Sequence, residues 1–410
     1  MNLGWIIFIV CYILIDIYSF QAVKTLTDSK WIYAVYVVVS VVTLLLFLHQ
    51  LLGMGASRIM TPLRMYSFGW FIVLLVPKMF VLLVIMFGED LVRIVVGLVA
   101  KFDSTDQGFY MPSRRKFVST LALGIAAIPF GALLYGMFKG RYNYKVLNYQ
   151  MTFEDLPDAF DGYKITQVSD IHSGSFTNSE KVAYAVDLVN KQQSDLILFT
   201  GDLVNDLATE MEPWKKDFES FSAPDGVYSV LGNHDYGDYY TFPDAQSKVQ
   251  NLEDLKQLQA DMGWKLLLNE HTYINRGQDK IALIGVENWG TGFKQKGDLN
   301  KACQDVAPED FKILMSHDPS HWRAQVIPHK KHFHLTLSGH THGMQFGVEI
   351  PGFIRWSPVK WRYKEWAGIY EQANQYINVN RGFGFIGYPG RVGIWPEITV
   401  ITLKKGPKTA

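Results

Sequence analysis

The chain has 410 residues, 48% of them hydrophobic, and its 39 Lys and Arg balance 39 Asp and Glu. That length allows two or three domains, and the composition excludes both a disordered chain and a strongly basic nucleic-acid binder, so no nucleic-acid partner is expected. Residues 1–138 carry 10 basic and 6 acidic side chains and, of the 11 histidines, His49 alone. An apolar third is thus separated from a part equipped for polar chemistry. Cys11 lies inside an apolar run and Cys303 stands alone, which leaves neither a disulfide framework nor a thiolate zinc cluster.

Four apolar runs, 3–20, 31–52, 66–88 and 117–138, are 18 to 23 residues long. A helix needs roughly 20 residues to cross a bilayer core, so residues 1–138 read as a four-span transmembrane region whose partner is the lipid bilayer. Asp16 falls near the expected end of the first span and Lys78 follows Pro77, where a kink is expected; both are assigned structural or snorkelling roles. Residues 90–100 (DLVRIVVGLVA) are too short to span and are expected to lie along the interface. The loops after the first and third spans hold Lys24, Lys30, Arg93, Lys101, Arg114, Arg115 and Lys116, against Arg58, Arg64, Lys139, Arg141 and Lys145 on the other side. The third loop ends in SRRKFV, which resembles a twin-arginine export lead, and no small-residue cleavage site closes the fourth run. The expectation is an integral protein of a bacterial-type cell membrane, with the C-terminal domain retained by its anchor and placed outside the cytoplasm.

From about residue 144, short runs rich in Val, Ile, Leu and aromatics (YKITQVSD, LILFTGD, VYSVLGNHD, KIALIGVEN, FKILMSHD, HFHLTLSGHTH, QYINVNRG, PEITVITL) read as strands. Residues 179–192 and 251–263 carry helical spacing between them. The pattern predicts a layered α/β domain over 159–405, preceded by a linker and first strand at 139–158. In such folds functional groups gather at the carboxyl ends of strands. Asp170 and His172 close one strand in SDIH, Asp202 another in TGD, and Asn233, His234 and Asp235 a third in GNHD. His317 follows in SHDP, and His340 with His342 in GHTHG. Singly, each residue could cap a turn or fill a core position. Five such strand ends in one domain are different, because buried carboxylates and imidazoles without a cation would be costly. Mixed Asp, Asn and His ligands suit manganese, iron or zinc, and seven of them suffice for two divalent metal ions that share a carboxylate.

The same blocks, in the same order, resemble the calcineurin-like metallophosphoesterase family. The resemblance implies an α/β four-layer sandwich, two β-sheets flanked by helices, here preceded by the α-helical transmembrane region. It implies that Asp170, His172 and His342 hold one metal, that Asn233, His317 and His340 hold the other, and that Asp202 bridges them. It also implies attack on a phosphoester by a metal-bound hydroxide. His234 is similar to the family histidine that bonds phosphate and protonates the leaving oxygen, with Asp235 as its orienting partner. The protein-phosphatase variant GDxVDRG is absent, since this chain reads GDLVNDL.

The motifs LSGHTHGMQFG, NRGFGFIGYPGRVGIWPEITVITL and SRRKF are similar to the membrane-associated branch of the family, which includes UDP-2,3-diacylglucosamine pyrophosphatase-like enzymes and twin-arginine-exported phosphodiesterases. Arg381 and Arg391 are candidates for gripping substrate phosphate or carboxylate, with loop packing as the alternative. Residues 351–370 interleave Trp356, Trp361 and Trp366 with Arg355, Lys360, Arg362 and Lys364. That mixture suits a membrane interface, and a loop folded over the sandwich with buried tryptophans is the competing reading. The expected activity is cleavage of phosphodiester or pyrophosphate bonds in a lipid-linked or cell-envelope substrate, with no obligate protein partner evident. A cytoplasmic domain would instead favour a UDP-2,3-diacylglucosamine pyrophosphatase of lipid A synthesis. A non-enzymatic membrane sensor with a structural metal site is the alternative from another class.

Overall fold

A computed structural model describes residues 3–53, 61–103, 112–350 and 352–407; Arg58 and Pro351 lie outside the described residues. The chain forms two units, passing from one to the other between Phe138 and Lys139.

The first unit is helical: α1 Leu3–Leu26, α2 Lys30–Leu52, α3 Pro62–Ile85, α4 Leu91–Asp103 and α5 Pro112–Phe138. Among the described residues four helical stretches are long and apolar enough to cross a membrane. Small residues on α1 and α5 (Ala22, Ala122, Ala126) let the helices approach and pack with Val81 and Ile85 of α3. Leu14, Ile17, Val38 and Leu45 remain exposed, as side chains facing acyl chains would. Residues 91–99 do not form a separate segment. They continue α3 through a π-helical turn at Met86–Asp90, giving one helix from Pro62 to Asp103 whose apolar stretch runs to Val99.

The expectation for Asp16 and Lys78 changes. Because α1 runs on to Leu26, Asp16 sits near its middle. Lys78 does not snorkel: it is buried, its Nζ pairs with Asp16, and it donates to Ser40 Oγ on α2 at 2.7 Å. The Tyr36 ring lies 4.9 Å from the same ammonium. In hydrocarbon a lone charge is costly, so the pair satisfies each member inside the bundle.

The second unit contains β1 Lys145–Phe153, β2 Lys164–Val168, α6 Ser179–Asn190, β3 Leu196–Phe199, α7 Lys215–Phe218, β4 Val227–Ser229, α8 Ala245–Asp261, β5 Trp264–Leu266, β6 Glu270–Arg276, β7 Asp279–Gly285 and α9 Leu299–Ala302. It continues with β8 Lys312–Met315, β9 Leu335–Ser338, β10 Val348–Ile350, β11 Ile354–Trp356, β12 Gly368–Gln372, β13 Gln375–Val379 and β14 Glu397–Lys405. Among the described residues two six-stranded sheets have the orders β1-β14-β2-β3-β4-β5 and β12-β13-β9-β8-β7-β6, and β10 pairs with β11 in a separate two-stranded sheet. β2 to β5 run parallel, as do β7, β8, β9 and β13. β1, the first strand expected within 139–158, joins the first sheet by pairing with β14 from Lys145↔Glu397 to Phe153↔Lys405.

Alternation along the strands explains the layering. Leu196 and Leu198 of β3, Ile313 and Met315 of β8, Leu335 and Leu337 of β9, and Ile401 and Leu403 of β14 share one core between the sheets. The opposite faces of β7 and β8 (Ala282, Ile284, Leu314) pack with Leu299, Trp322 and Val326 on the flanking helical segments. Both faces are therefore buried, which is why these strands read as continuous apolar runs. Toward the carboxyl ends of the strands the inter-sheet core turns polar. Gln167 donates to the Ser338 carbonyl at 2.8 Å and to Thr200 Oγ1 at 3.1 Å, and Asn378 donates to Gln167 Oε1 at 2.7 Å. These buried bonds fix one sheet against the other, with Gln167, Thr200 and Ser338 two or three residues before the candidate ligands Asp170, Asp202 and His340.

Replacing Lys78 with Met leaves half-buried Asp16 without its partner and is expected to destabilise the helical unit by about 3 kcal/mol, whereas the Asp16→Leu/Lys78→Met double variant recovers most of that loss. Unfolding midpoints of the full chain in detergent micelles check this; a double variant no better than the single would refute the pairing.

Candidate metal centre

Each ligand candidate follows a strand that stops where the chain must turn sharply. Asp170, His172, Asp202, His340 and His342 all have positive φ, between 48° and 70°. Left-handed backbone is uncommon outside glycine, and its concentration here marks strain held by the surrounding fold. The turns need neighbours without side chains: a Cβ on Gly232 would lie 2.2 Å from Asp202 Oδ1, and one on Gly339 would lie 2.2 Å from Asp170 Oδ2.

Two clusters result. Asp170, His172 and His342 converge in one; Asp202, His317 and His340 converge in the other. In the first, His342 Nε2 is 3.1 Å from Asp170 Oδ1 and 3.0 Å from His172 Nε2. In the second, His317 Nε2 is 3.1 Å from Asp202 Oδ2 and 3.3 Å from His340 Nδ1. Asp202 Oδ2 also lies 3.6 Å from His172 Nε2, so one carboxylate oxygen faces an imidazole of each cluster. Asn233 donates its amide to Tyr239 Oη at 2.9 Å, which leaves its Oδ1 buried without a hydrogen-bond partner.

The electrostatics suit cations. Burial alone would raise Asp170, yet His342 holds it below the usual carboxylate range. Asp202 is likewise held well below its ordinary value, with burial opposed chiefly by His317. Burial lowers His172 and pushes His340 down to about 4, keeping both imidazoles neutral as metal ligands must be. His317 is opposite: burial works against its charge, but Asp202 lifts it to about 10. Its Nδ1 donates to the Thr200 carbonyl at 2.7 Å, which turns Nε2 toward Asp202. Ionised carboxylates, imidazoles of which His317 must give up its proton, and an orphaned amide oxygen form a donor set that fits two divalent cations.

Several expected partners are placed differently. Asp235 does not touch the His234 ring. Its carboxylate accepts backbone N–H bonds from Asp202 at 2.9 Å, Leu203 at 2.7 Å and Gly232 at 2.8 Å, so it shapes the loops that carry the ligands. The His234 ring is oriented by the Asn205 carbonyl, which accepts from Nδ1 at 2.7 Å. Its centroid lies 5.0 Å from that of His172, at the edge of the first cluster.

Arg381 and Arg391 are not free to grip a substrate, because both are buried and engaged. Arg381 pairs with Glu397 and with Glu349, each at 2.5 Å. Arg391 donates to the carbonyls of Gly384 at 2.6 Å and Gly382 at 3.1 Å, clamping the loop beside Asp170. Adjacent positive charge in the sequence could not distinguish these internal partners from an external phosphate.

Three residues escaped the sequence reading. Tyr363 Oη lies 2.8 Å from His340 Nε2, Asp318 Oδ2 lies 3.5 Å from the same nitrogen, and Tyr239 orients Asn233. Asp318 stood in the SHDP block and was open to notice. Tyr363 lies in the aromatic and basic stretch 351–370, whose composition points to an interface and not to a ligand histidine.

Comparison with known proteins agrees with this geometry. Residues 2–141 match the family described as "Probable Calcineurin-like phosphoesterase, transmembrane domain", and residues 163–344 match "Calcineurin-like phosphoesterase". The uncharacterized metallophosphoesterase YkuE of Bacillus subtilis is 30% identical over 71% of this chain and 98% of its own length. A transmembrane protein with metallophosphoesterase domain from Danio rerio is 28% identical over 75% of this chain and 67% of its own. The uncharacterized metallophosphoesterase Cj0846 of Campylobacter jejuni is 23% identical over 95% of both chains, including the helical unit. The chain belongs to the calcineurin-like phosphoesterase family and is a membrane-associated, metal-dependent phosphoesterase with a transmembrane domain of the four-helix type.

Proposed function

We propose that this enzyme hydrolyses phosphodiester or pyrophosphate bonds of a lipid-linked or cell-envelope substrate on the outer side of the membrane, with two divalent cations of manganese, iron or zinc. The reading is carried by one observation: Asp202 Oδ2 faces His317 and His172, an imidazole from each ligand cluster. Asp170, His172 and His342 would hold one cation, Asn233, His317 and His340 the other, and Asp202 both. When bound, such a pair supplies Lewis acidity that lowers the pKa of water and offsets charge on phosphoryl oxygens.

The chain's own groups do the rest. His234 keeps a proton on Nδ1 through the Asn205 carbonyl, so Nε2 accepts when the ring is neutral and donates a hydrogen bond and a proton to the leaving oxygen only when the ring is charged. Asp235 holds the Asp202 turn by main-chain bonds and keeps the ligands from splaying. Tyr239 fixes which end of the Asn233 amide faces inward. Four apolar helices hold the enzyme in the phase where a lipid-linked ester resides, which supports the substrate class.

Bis-p-nitrophenyl phosphate turnover by the full chain should need added Mn2+, and Asp202→Asn should lower it by more than ~10²-fold. His234→Ala should lower kcat by about 10²-fold while bound metal, measured by atomic emission, stays at the wild-type level. Activity unchanged in both variants would remove the hydrolytic reading. Cation uptake must displace the proton that Asp202 keeps on His317, so affinity rises with pH up to about 10. Titration calorimetry in buffers of different ionisation enthalpy should report proton release, and uptake with none would contradict the ligand assignment. Protease added outside sealed right-side-out vesicles should digest the domain; protection would place it in the cytoplasm and turn the substrate toward a nucleotide-linked lipid.

A further inference from the structure

The hairpin of β10 and β11 is built inside out. Its register pairs Val348 with Trp356, Glu349 with Arg355 and Ile350 with Ile354. Strand alternation therefore puts Val348, Ile350, Ile354 and Trp356 on one face and Glu349 and Arg355 on the other. The polar face is the one fastened to the domain: Glu349 pairs with Arg381, and Arg355 donates to the Ala367 carbonyl at 2.8 Å. The apolar face is left outward, with Val348, Ile350 and Ile354 exposed and Phe353 beside them at 85% exposure. An isolated two-stranded hairpin is marginal in water. This one is held through its charges, and Arg381, clasped between Glu349 and buried Glu397, is the fastening.

The three tryptophans of the region divide. Trp366 is buried with Val359, Ala367 and Ile394, as a loop-packing role requires. Trp356 is half-buried and sets its ring edge-on to that of Trp361, 6.0 Å away. Trp361 is 76% exposed and stands between exposed Lys360 and Arg362, with Lys364 exposed two residues on. The nearby acid Glu365 is buried and bound to Arg323, so the outward charge of this strip is positive. Between the strip and the metal centre lies a cleft of about 340 Å³ lined by Met344, Val359, Trp361 and Phe293, with His340 of the second ligand cluster in its wall.

We infer that the β10–β11 hairpin and Trp361 form an interfacial anchor that seats the mouth of the metal centre on an anionic lipid bilayer. Exposed aromatic and aliphatic side chains flanked by lysine and arginine are the chemistry of a headgroup boundary. A bilayer is also the apolar phase to which this chain is always tethered, so its effective concentration at the patch is high. The cleft then opens from the membrane surface toward His340, letting the phosphoester of an embedded lipid reach the cations while its hydrocarbon stays among Met344, Val359 and Trp361. This rests on the hydrolase reading for its purpose but not for its test.

The test uses the full chain reconstituted in vesicles of phosphatidylcholine with phosphatidylglycerol, carrying an environment-sensitive fluorophore on Phe353→Cys in a Cys11→Ser/Cys303→Ala background. A second chain carries the probe on Trp361→Cys and a third on Tyr184→Cys, an exposed site on α6. The probes at 353 and 361 should emit to the blue of the one at 184 and be quenched by nitroxide-labelled phosphatidylcholine. Quenching should fall when Lys360 and Lys364 are replaced by Ser, and in vesicles of phosphatidylcholine alone. Probes at 353 and 361 that behave as the one at 184 does would overturn the anchor, as would quenching indifferent to both charge changes. Bis-p-nitrophenyl phosphate turnover, followed in the same vesicles, reports separately on the hydrolase. Turnover absent with quenching present would sink that reading and leave the anchor standing.

Discussion

Everything in the catalytic unit depends on bringing two carboxylates and four imidazoles into one small, nearly dry volume. Asp170, His172, Asp202, His317 and His342 are all buried, and His340 closely so. Desolvation penalises every charge there; attraction between acids and imidazoles outweighs it for Asp170, Asp202 and His317 but not for His172 and His340. The arrangement is self-consistent when divalent charge is shared among the groups, which is why the donor set reads as a metal centre. The fold meets the cost by strain as well: five of these residues occupy left-handed backbone, and glycines at 232 and 339 leave room for the carboxylates of Asp202 and Asp170.

Holding that volume together consumes much of the polar chemistry around it. Asp235, Arg381 and Arg391 each carry a charge suited to catalysis or substrate, and each is committed to the scaffold. Gln167 and Asn378 tie the two sheets beneath the site. The helical unit follows the same rule with Asp16, Lys78 and Ser40, since a charge removed from water persists only with partners. Asp235, Arg381, Arg391, Asp16 and Lys78 show that buried charge in this protein is architecture in the first instance.

The region after His342 links the centre to its surroundings. Tyr363 touches His340, Trp366 packs beneath the turn, and the hairpin is clipped to Glu397 of β14 through Arg381. The same segment supports a ligand histidine on one side and, with Val348, Ile350, Phe353 and Trp361, exposes apolar side chains on the other.

Much of this was legible in the chain itself. Length and hydropathy determine the four apolar helices, because crossing hydrocarbon is a constraint on consecutive residues. Strand runs ending in SDIH, TGD, GNHD, SHDP and GHTHG determine where ligands can arise, because alternation and turn chemistry are local. The family likeness rests on the same blocks. Tertiary structure alone decided partnership. Nothing in the order of residues says that Lys78 meets Asp16 across 62 positions, that Asn205 rather than Asp235 orients His234, that Arg381 and Arg391 turn inward, or that Trp366 is core while Trp361 is surface. Those outcomes depend on distances between segments far apart in the chain, and charge and aromatic character look the same in sequence whether they meet a carbonyl, a carboxylate, a phosphate or a membrane.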